Sequence, residues 1–141
     1  MVDEYSYGIV PLQQQAGEWY VLIIQHRAAG YWGFPKGHPE EGETDKETAI
    51  RELLEETDLQ VTRFISDTQF TEQYTFTLKG KRIRKQVAFF IAEVSGIFKL
   101  QVGEVRAARW IPLREADQYV TYEADKSICR EANKILELQG Q

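Results

Sequence analysis

The stretch that most constrains this chain is Thr44 to Thr57, Thr-Asp-Lys-Glu-Thr-Ala-Ile-Arg-Glu-Leu-Leu-Glu-Glu-Thr. Thr44-Asp45-Lys46-Glu47 has the capping-box pattern, which predicts a helix from about Thr44 to Thr57. At helical period Glu52, Glu55 and Glu56 fall at i, i+3 and i+4 on one face, with Ile50, Leu54 and Thr57 directed the other way. Like charges so spaced repel by about 0.2 to 0.5 kcal/mol per pair. They also lie near the helix C-terminus, where the macrodipole favours cations. A hard divalent cation reverses that balance, because Mg2+ takes carboxylate oxygens and keeps water positions open for a phosphate. The plain alternative is a solvated acidic face.

The loop before this helix, Arg27 to Pro39, runs through Gly30-Tyr31-Trp32-Gly33-Phe34-Pro35-Lys36-Gly37-His38, and its glycines and prolines exclude regular helix. Lys36 on such a backbone suits a phosphate oxygen, the Gly37 carbonyl is a further candidate metal ligand, and His38 is a candidate proton donor or phosphate contact. An ordinary solvated lysine and histidine are the competing readings.

Elsewhere the pattern is mostly strand. Tyr5 to Leu12 reads as a strand ended or pushed to an edge by Pro11. A turn at Gly17 follows, and Trp19 to Gln25 is a continuous apolar run expected at the centre of a sheet, buried on both faces. Arg63 to Leu78 alternates polar and apolar residues as a half-buried strand, turns at Lys79-Gly80-Lys81, and returns from Arg82 to Val94 as a hairpin. Lys79, Lys81, Arg82, Arg84 and Lys85 crowd the turn; they form either a phosphate-binding rim, with Lys85 the inward member, or protection of an exposed strand edge. Glu104 is a candidate extra metal ligand or base. It opens a short strand stopped by Pro112, and Ala124 to Leu138, with Ile128, Ala132, Ile135 and Leu136, reads as a closing amphipathic helix.

With 141 residues and 43% hydrophobic content the chain can bury one core, so residues 1–141 are expected to form a single domain of mixed α/β (α+β) class. The formal charge of -5 argues against nucleic acid as the main partner, since duplex affinity comes from many lysine and arginine contacts to phosphate. Cys129 stands alone and cannot form an internal disulfide. There is no membrane-length apolar run and no signal-peptide pattern at Met1 to Tyr5, which leads to the expectation of a soluble cytoplasmic protein, monomer or homodimer.

Gly37, Glu43, Arg51, Glu52, Leu53, Glu55, Glu56 and Leu59 together resemble the Nudix box in register; the departure is Asp58, where the family has Gly. Asp tolerates the left-handed conformation at modest cost, so the helix stop is expected to survive. The resemblance implies the Nudix fold, a mixed β-sheet sandwiched between helices. It also implies Mg2+ or Mn2+ held by Gly37, Glu52, Glu55, Glu56 and Glu104, with Glu43 and Arg51 in a structural role that ties loop to helix. Tyr31 to His38 is similar to the loop before the box in bis(5'-nucleosyl)-tetraphosphatases, and Tyr74, Lys85, Glu104 and Trp110 fall where that group places contacts. What this implies is asymmetric hydrolysis of diadenosine tetraphosphate to ATP and AMP, with Glu52 and Glu55 catalytic and Glu52 or Glu104 taking the proton. Lys36, His38, Tyr74 and Lys85 would bind the small nucleotide substrate, and Tyr119 and Tyr122 are alternative stacking partners for adenine. The alternatives are a broader pyrophosphohydrolase acting on modified nucleoside triphosphates, diphosphoinositol polyphosphates or RNA 5' ends, and a nucleotide sensor that does not cleave.

Overall fold

Why Trp19 to Gln25 is apolar without a break is visible in a computed structural model that describes residues 1–27, 30–99 and 105–140. Here the segment is β2 (Glu18–His26), and its Val21 to Ile24 are enclosed on both sides. Val21 and Ile23 face one core layer and Leu22 and Ile24 the other, as a period of two requires. Each such side chain contributes about 1.5 to 3 kcal/mol on burial.

β1 (Val2–Gln15), β3 (Trp32–Gly33), β4 (Lys36–Gly37), β5 (Gln60–Leu78), β6 (Lys81–Ser95) and β7 (Val105–Pro112) complete a seven-stranded sheet. Its main order is β3-β2-β1-β6-β5, with β4 on β1 and β7 on β2. Only the β1–β6 pair is parallel among the described pairings, so the sheet is mixed. One face packs on α1 (Asp45–Thr57) through Ala49 and Leu53, the other on α2 (Glu123–Gln139) through Ile128, Cys129, Ala132 and Leu136. The expected sheet between helices is what forms. No helix of the described residues is long and apolar enough to cross a membrane.

Three expectations need correcting. Pro11 does not end its strand: β1 continues to Gln15, with Pro11 opposite Ala92 on β6. Strand N–H groups alternate sides, and the Ile9 N–H goes to Pro35 O at 3.2 Å, so the Pro11 nitrogen faces the gap between that contact and the start of β2 pairing at Leu12. No ladder donor is lost there. Second, β5 is less buried than its alternation suggests: Tyr74, Phe76 and Leu78 are exposed. Third, Ile50 and Leu54 are partly exposed, beside a groove of about 450 Å3 with Leu59 and Val61 to Phe64, while Glu52 and Glu56 turn inward.

The ends of α1 follow its sequence. Thr44 Oγ1 accepts from the Glu47 N–H at 3.2 Å and Glu47 Oε1 from the Thr44 N–H at 2.9 Å. Asp58 sits in the left-handed region at φ +64°, its N–H donating to Leu54 O at 2.9 Å, so the stop is kept without glycine.

Candidate active site

The close approach of β4 to α1 builds the first half of the site. Gly37 lies in a two-residue strand opposite Tyr7, and a Cβ there would fall well inside van der Waals contact with the Glu52 carboxyl group. Only glycine lets that carboxylate occupy its position. Arg51 then locks the loop to the helix. Its Nε donates to Glu43 Oε2 at 2.7 Å, its Nη2 to His38 O at 2.8 Å, and its Nη1 to Glu52 Oε1 at 3.0 Å and to Glu55 at 3.2 Å. The guanidinium, aided by the Glu40 backbone N–H, holds the Glu43 carboxyl down at about 2.

The three carboxylates do not meet at one point. Glu52 and Glu56 are 8% and 2% exposed, whereas Glu55 points outward onto Arg51 with its side chain 52% exposed. Repulsion between Glu52 and Glu55 is relieved by Arg51, which bonds to both. Among the described residues no three acidic, histidine or cysteine side chains are gathered as a metal ion would need. The donor set fits a hard divalent ion nonetheless, being oxygen throughout: Glu52, Glu56, the Gly37 carbonyl, and Glu55 if it leaves Arg51. Glu104 lies outside the described residues.

Beside Glu52 opens a cavity of about 400 Å3 whose walls include Ser6, Lys36, His38, Arg51 and Lys85. Lys85 is only 7% exposed, with Nζ 3.5 Å from His38 Nε2 and 3.8 Å from Glu4. Burial lowers the ammonium from its ordinary value, and neighbouring Lys36 lowers it further. His38 Nδ1 donates to Tyr5 O at 3.1 Å. The other basic residues of the hairpin do not join: Lys79, Lys81 and Arg82 are exposed, and Arg84 Nε donates to Asp3 at 2.6 Å. Of the five, only Lys85 is buried beside this cavity.

A second cavity of about 420 Å3 is lined by Tyr31, Glu72, Gln73, Tyr74, Tyr122 and Ala124. Tyr31 and Tyr122 stand 5.1 Å apart between ring centroids, and His26 stacks behind Tyr31 at 4.5 Å. Burial pushes the His26 imidazole down to about 4, so it is neutral at physiological pH. The Trp32 N–H donates to Thr121 Oγ1 at 2.8 Å, joining the Tyr31 loop to the segment that carries Tyr122. Lys36, in the wall of the first cavity, has its Nζ 6.0 Å from the centre of the Tyr31 ring in the second. Tyr119 is elsewhere, under the Arg109 guanidinium at 5.2 Å, and does not line this cavity.

Glu72, Asp125, Tyr31 and His26 were not singled out by sequence. Two signals were available. Glu72 is two residues before Tyr74, hence on the same strand face. Asp125 stands in the i, i+3, i+4, i+7 row with Ile128, Cys129 and Ala132, an acid on the apolar side of a helix. It is 4% exposed, and burial with Glu72 alongside pushes its carboxyl up to about 8.

Comparison with known proteins agrees with this geometry. A sequence model of the NUDIX domain matches residues 4–131. The asymmetrical bis(5'-nucleosyl)-tetraphosphatase of Rattus norvegicus is 33% identical over 120 residues, covering 83% of this chain and 80% of that protein. A Mycobacterium tuberculosis (strain CDC 1551 / Oshkosh) protein named as a mutator protein, MutT4, is 29% identical over 115 residues; 81% of this chain is covered, which spans 46% of that protein's length. Among solved structures, a Caenorhabditis elegans Ap4A hydrolase in a binary complex superimposes with a TM-score of 0.73 at 24% identity, covering 95% of this chain and 98% of that one. At that identity the likeness speaks for the fold.

Proposed function

Because the chain belongs to the NUDIX domain family, we propose that it is a divalent-metal-dependent pyrophosphohydrolase whose substrate is a dinucleoside polyphosphate, with diadenosine tetraphosphate cleaved asymmetrically to ATP and AMP. One observation carries the substrate class: Lys36, in the wall of the cation-lined cavity, has its Nζ 6.0 Å from the ring of Tyr31 in the aromatic cavity, so a base and its phosphate chain can be held side by side. The proposal extends to the soluble, single-domain character expected from composition.

Glu52, Glu55, Glu56 and the Gly37 carbonyl would hold the metal ion, with Glu104 a further candidate. When bound, a divalent ion neutralises polyphosphate charge and lowers the pKa of water. The chain's own groups do the rest. Lys36 and Lys85 bind phosphate oxygens and the charge that develops on the departing group. His38, within reach of Lys85 Nζ, orients that ammonium or contacts phosphate directly. Water oxygen attacks phosphorus in line, the anhydride P–O bond breaks, and a proton passes from the water to a carboxylate oxygen of Glu52 or Glu104. Tyr31, Tyr74 and Tyr122 take the base.

A panel of dinucleoside polyphosphates, modified nucleoside triphosphates, diphosphoinositol polyphosphates and capped RNA, with Mg2+ or Mn2+ and product identification, tests the reading. ATP plus AMP from diadenosine tetraphosphate is the expected result. Faster turnover of another class would reassign the substrate, and nucleotide binding without any product would make the protein a sensor.

A further inference from the structure

One strand, β1, holds two groups against the Lys85 ammonium. Glu4 lies opposite Lys85 in the parallel pairing of β1 with β6, so both side chains leave the sheet on the same face, and Glu4 Oε2 is 3.8 Å from Lys85 Nζ. His38, just beyond β4, is tied to the same strand by the 3.1 Å contact of its Nδ1 with Tyr5 O, and its Nε2 is 3.5 Å from Lys85 Nζ. A backbone carbonyl only accepts, so Nδ1 carries the ring hydrogen. Were Nε2 protonated too, its N–H would face the N–H groups of an ammonium, donor against donor. The ring is therefore neutral, with the Nε2 lone pair directed at Lys85. In that state His38 has no N–H to offer a phosphate.

Lys85 is 7% exposed, and a buried cation needs compensating groups around it. Lys36, on the wall of the same cavity, adds positive charge, whereas Glu4 brings a carboxylate within ion-pair distance. We propose that Glu4 is a positioning residue for phosphate binding: together with neutral His38 it holds the Lys85 ammonium at the cavity beside Glu52, with an N–H left for one oxygen of the substrate's phosphate chain. His38 then acts through Lys85 and not on phosphate. The sign of the expected effect is what separates this role from a bystander's. A carboxylate near an anion site repels the anion, so removing a bystander improves binding. Removing a positioning carboxylate impairs it, because the cation it steadied is no longer aimed. This assignment deepens the dinucleoside polyphosphate reading and rests on it, yet it can be tested apart from hydrolysis.

The test is calorimetric binding of inorganic pyrophosphate with Mg2+ to the whole protein, with hydrolysis of diadenosine tetraphosphate measured in parallel. Glu4→Gln, which keeps size and removes charge, should weaken pyrophosphate binding and lower kcat/KM by about threefold to tenfold each. Lys85→Met keeps the packed stem and removes the ammonium; in that background Glu4→Gln should weaken neither by more than about twofold. His38→Ala should behave in the same way, costly in the parent and without further cost beside Lys85→Met. Unchanged or tighter pyrophosphate binding in Glu4→Gln overturns the assignment, as does a loss of equal size in both backgrounds, which is what a merely structural Glu4 gives. A further loss from His38→Ala beside Lys85→Met overturns the indirect role of His38 and makes it a phosphate contact. Absence of any hydrolysis with the binding pattern intact overturns the enzyme reading alone.

Discussion

Replacing Gly37 by Ala isolates the relation between β4 and Glu52. The new methyl carbon would overlap the whole Glu52 carboxyl group, so one of two things must give. If Glu52 swings aside, it forfeits the 3.0 Å bond from Arg51, a charge-assisted contact of about 1.5 to 3 kcal/mol. If the backbone retreats instead, the pairings of Gly37 with Tyr7 and Lys36 with Gly8 are strained, an overpacking cost of about 1 to 3 kcal/mol. Either route predicts a loss near 2 kcal/mol, or about 4 to 8 °C in melting temperature for a chain of this size. Turnover should fall at least about 100-fold, since the carboxylate no longer sits where it did. Glu52→Ala and the double variant complete a thermodynamic cycle measured by denaturant and thermal unfolding. With the carboxylate gone the methyl has room, so the double variant should be no less stable than Glu52→Ala alone. Additivity of the two single losses to within about 0.5 kcal/mol, or a Gly37→Ala protein that melts and turns over like the parent, would refute the steric account.

Three further outcomes are expected. Glu55→Gln should lower kcat by about 100-fold or more and change stability by no more than about 0.5 kcal/mol, because it removes only an exposed pair with Arg51; full activity would remove Glu55 from the metal set. Lys36→Ala should reduce kcat/KM by about 10-fold to 100-fold with little effect on melting, and parallel losses in both would make its role structural. Asp125 binds its proton more tightly folded than unfolded, up to about 8 against an ordinary 3.8, so between about pH 4 and pH 8 the unfolded chain sheds that proton first and stability falls as pH rises. Asp125→Asn should flatten that slope and gain in stability over the parent as pH rises towards 8, and parallel pH curves for the two proteins would contradict it.

Local chemistry made parts of this molecule legible beforehand. The Thr44 box, the left-handed Asp58, the two-sided burial of Val21 to Ile24 and the inward Lys85 each follow from a residue and its near neighbours. The failures share a cause, which is that they depend on partners distant in sequence. Pro11 is harmless because Pro35 and Leu12 leave a gap in the ladder at that point. Glu52 turns inward, against the rule of apolar faces, because Gly37 brings bare backbone up to the helix. The Glu72–Asp125 pair joins a strand to a helix about fifty residues later, and neither residue alone announces the other.

The hairpin of β5 and β6 sets Tyr74 directly across from Lys85, with Glu72 two residues along on the same side. Slippage of β5 by a single residue would therefore turn Tyr74 and Glu72 away together and part both from Lys85, which its pairing with Glu4 on β1 holds in place. An insertion at the exposed Lys79-Gly80 tip, beyond Phe76, should leave the pairing of Tyr74 with Lys85 in place.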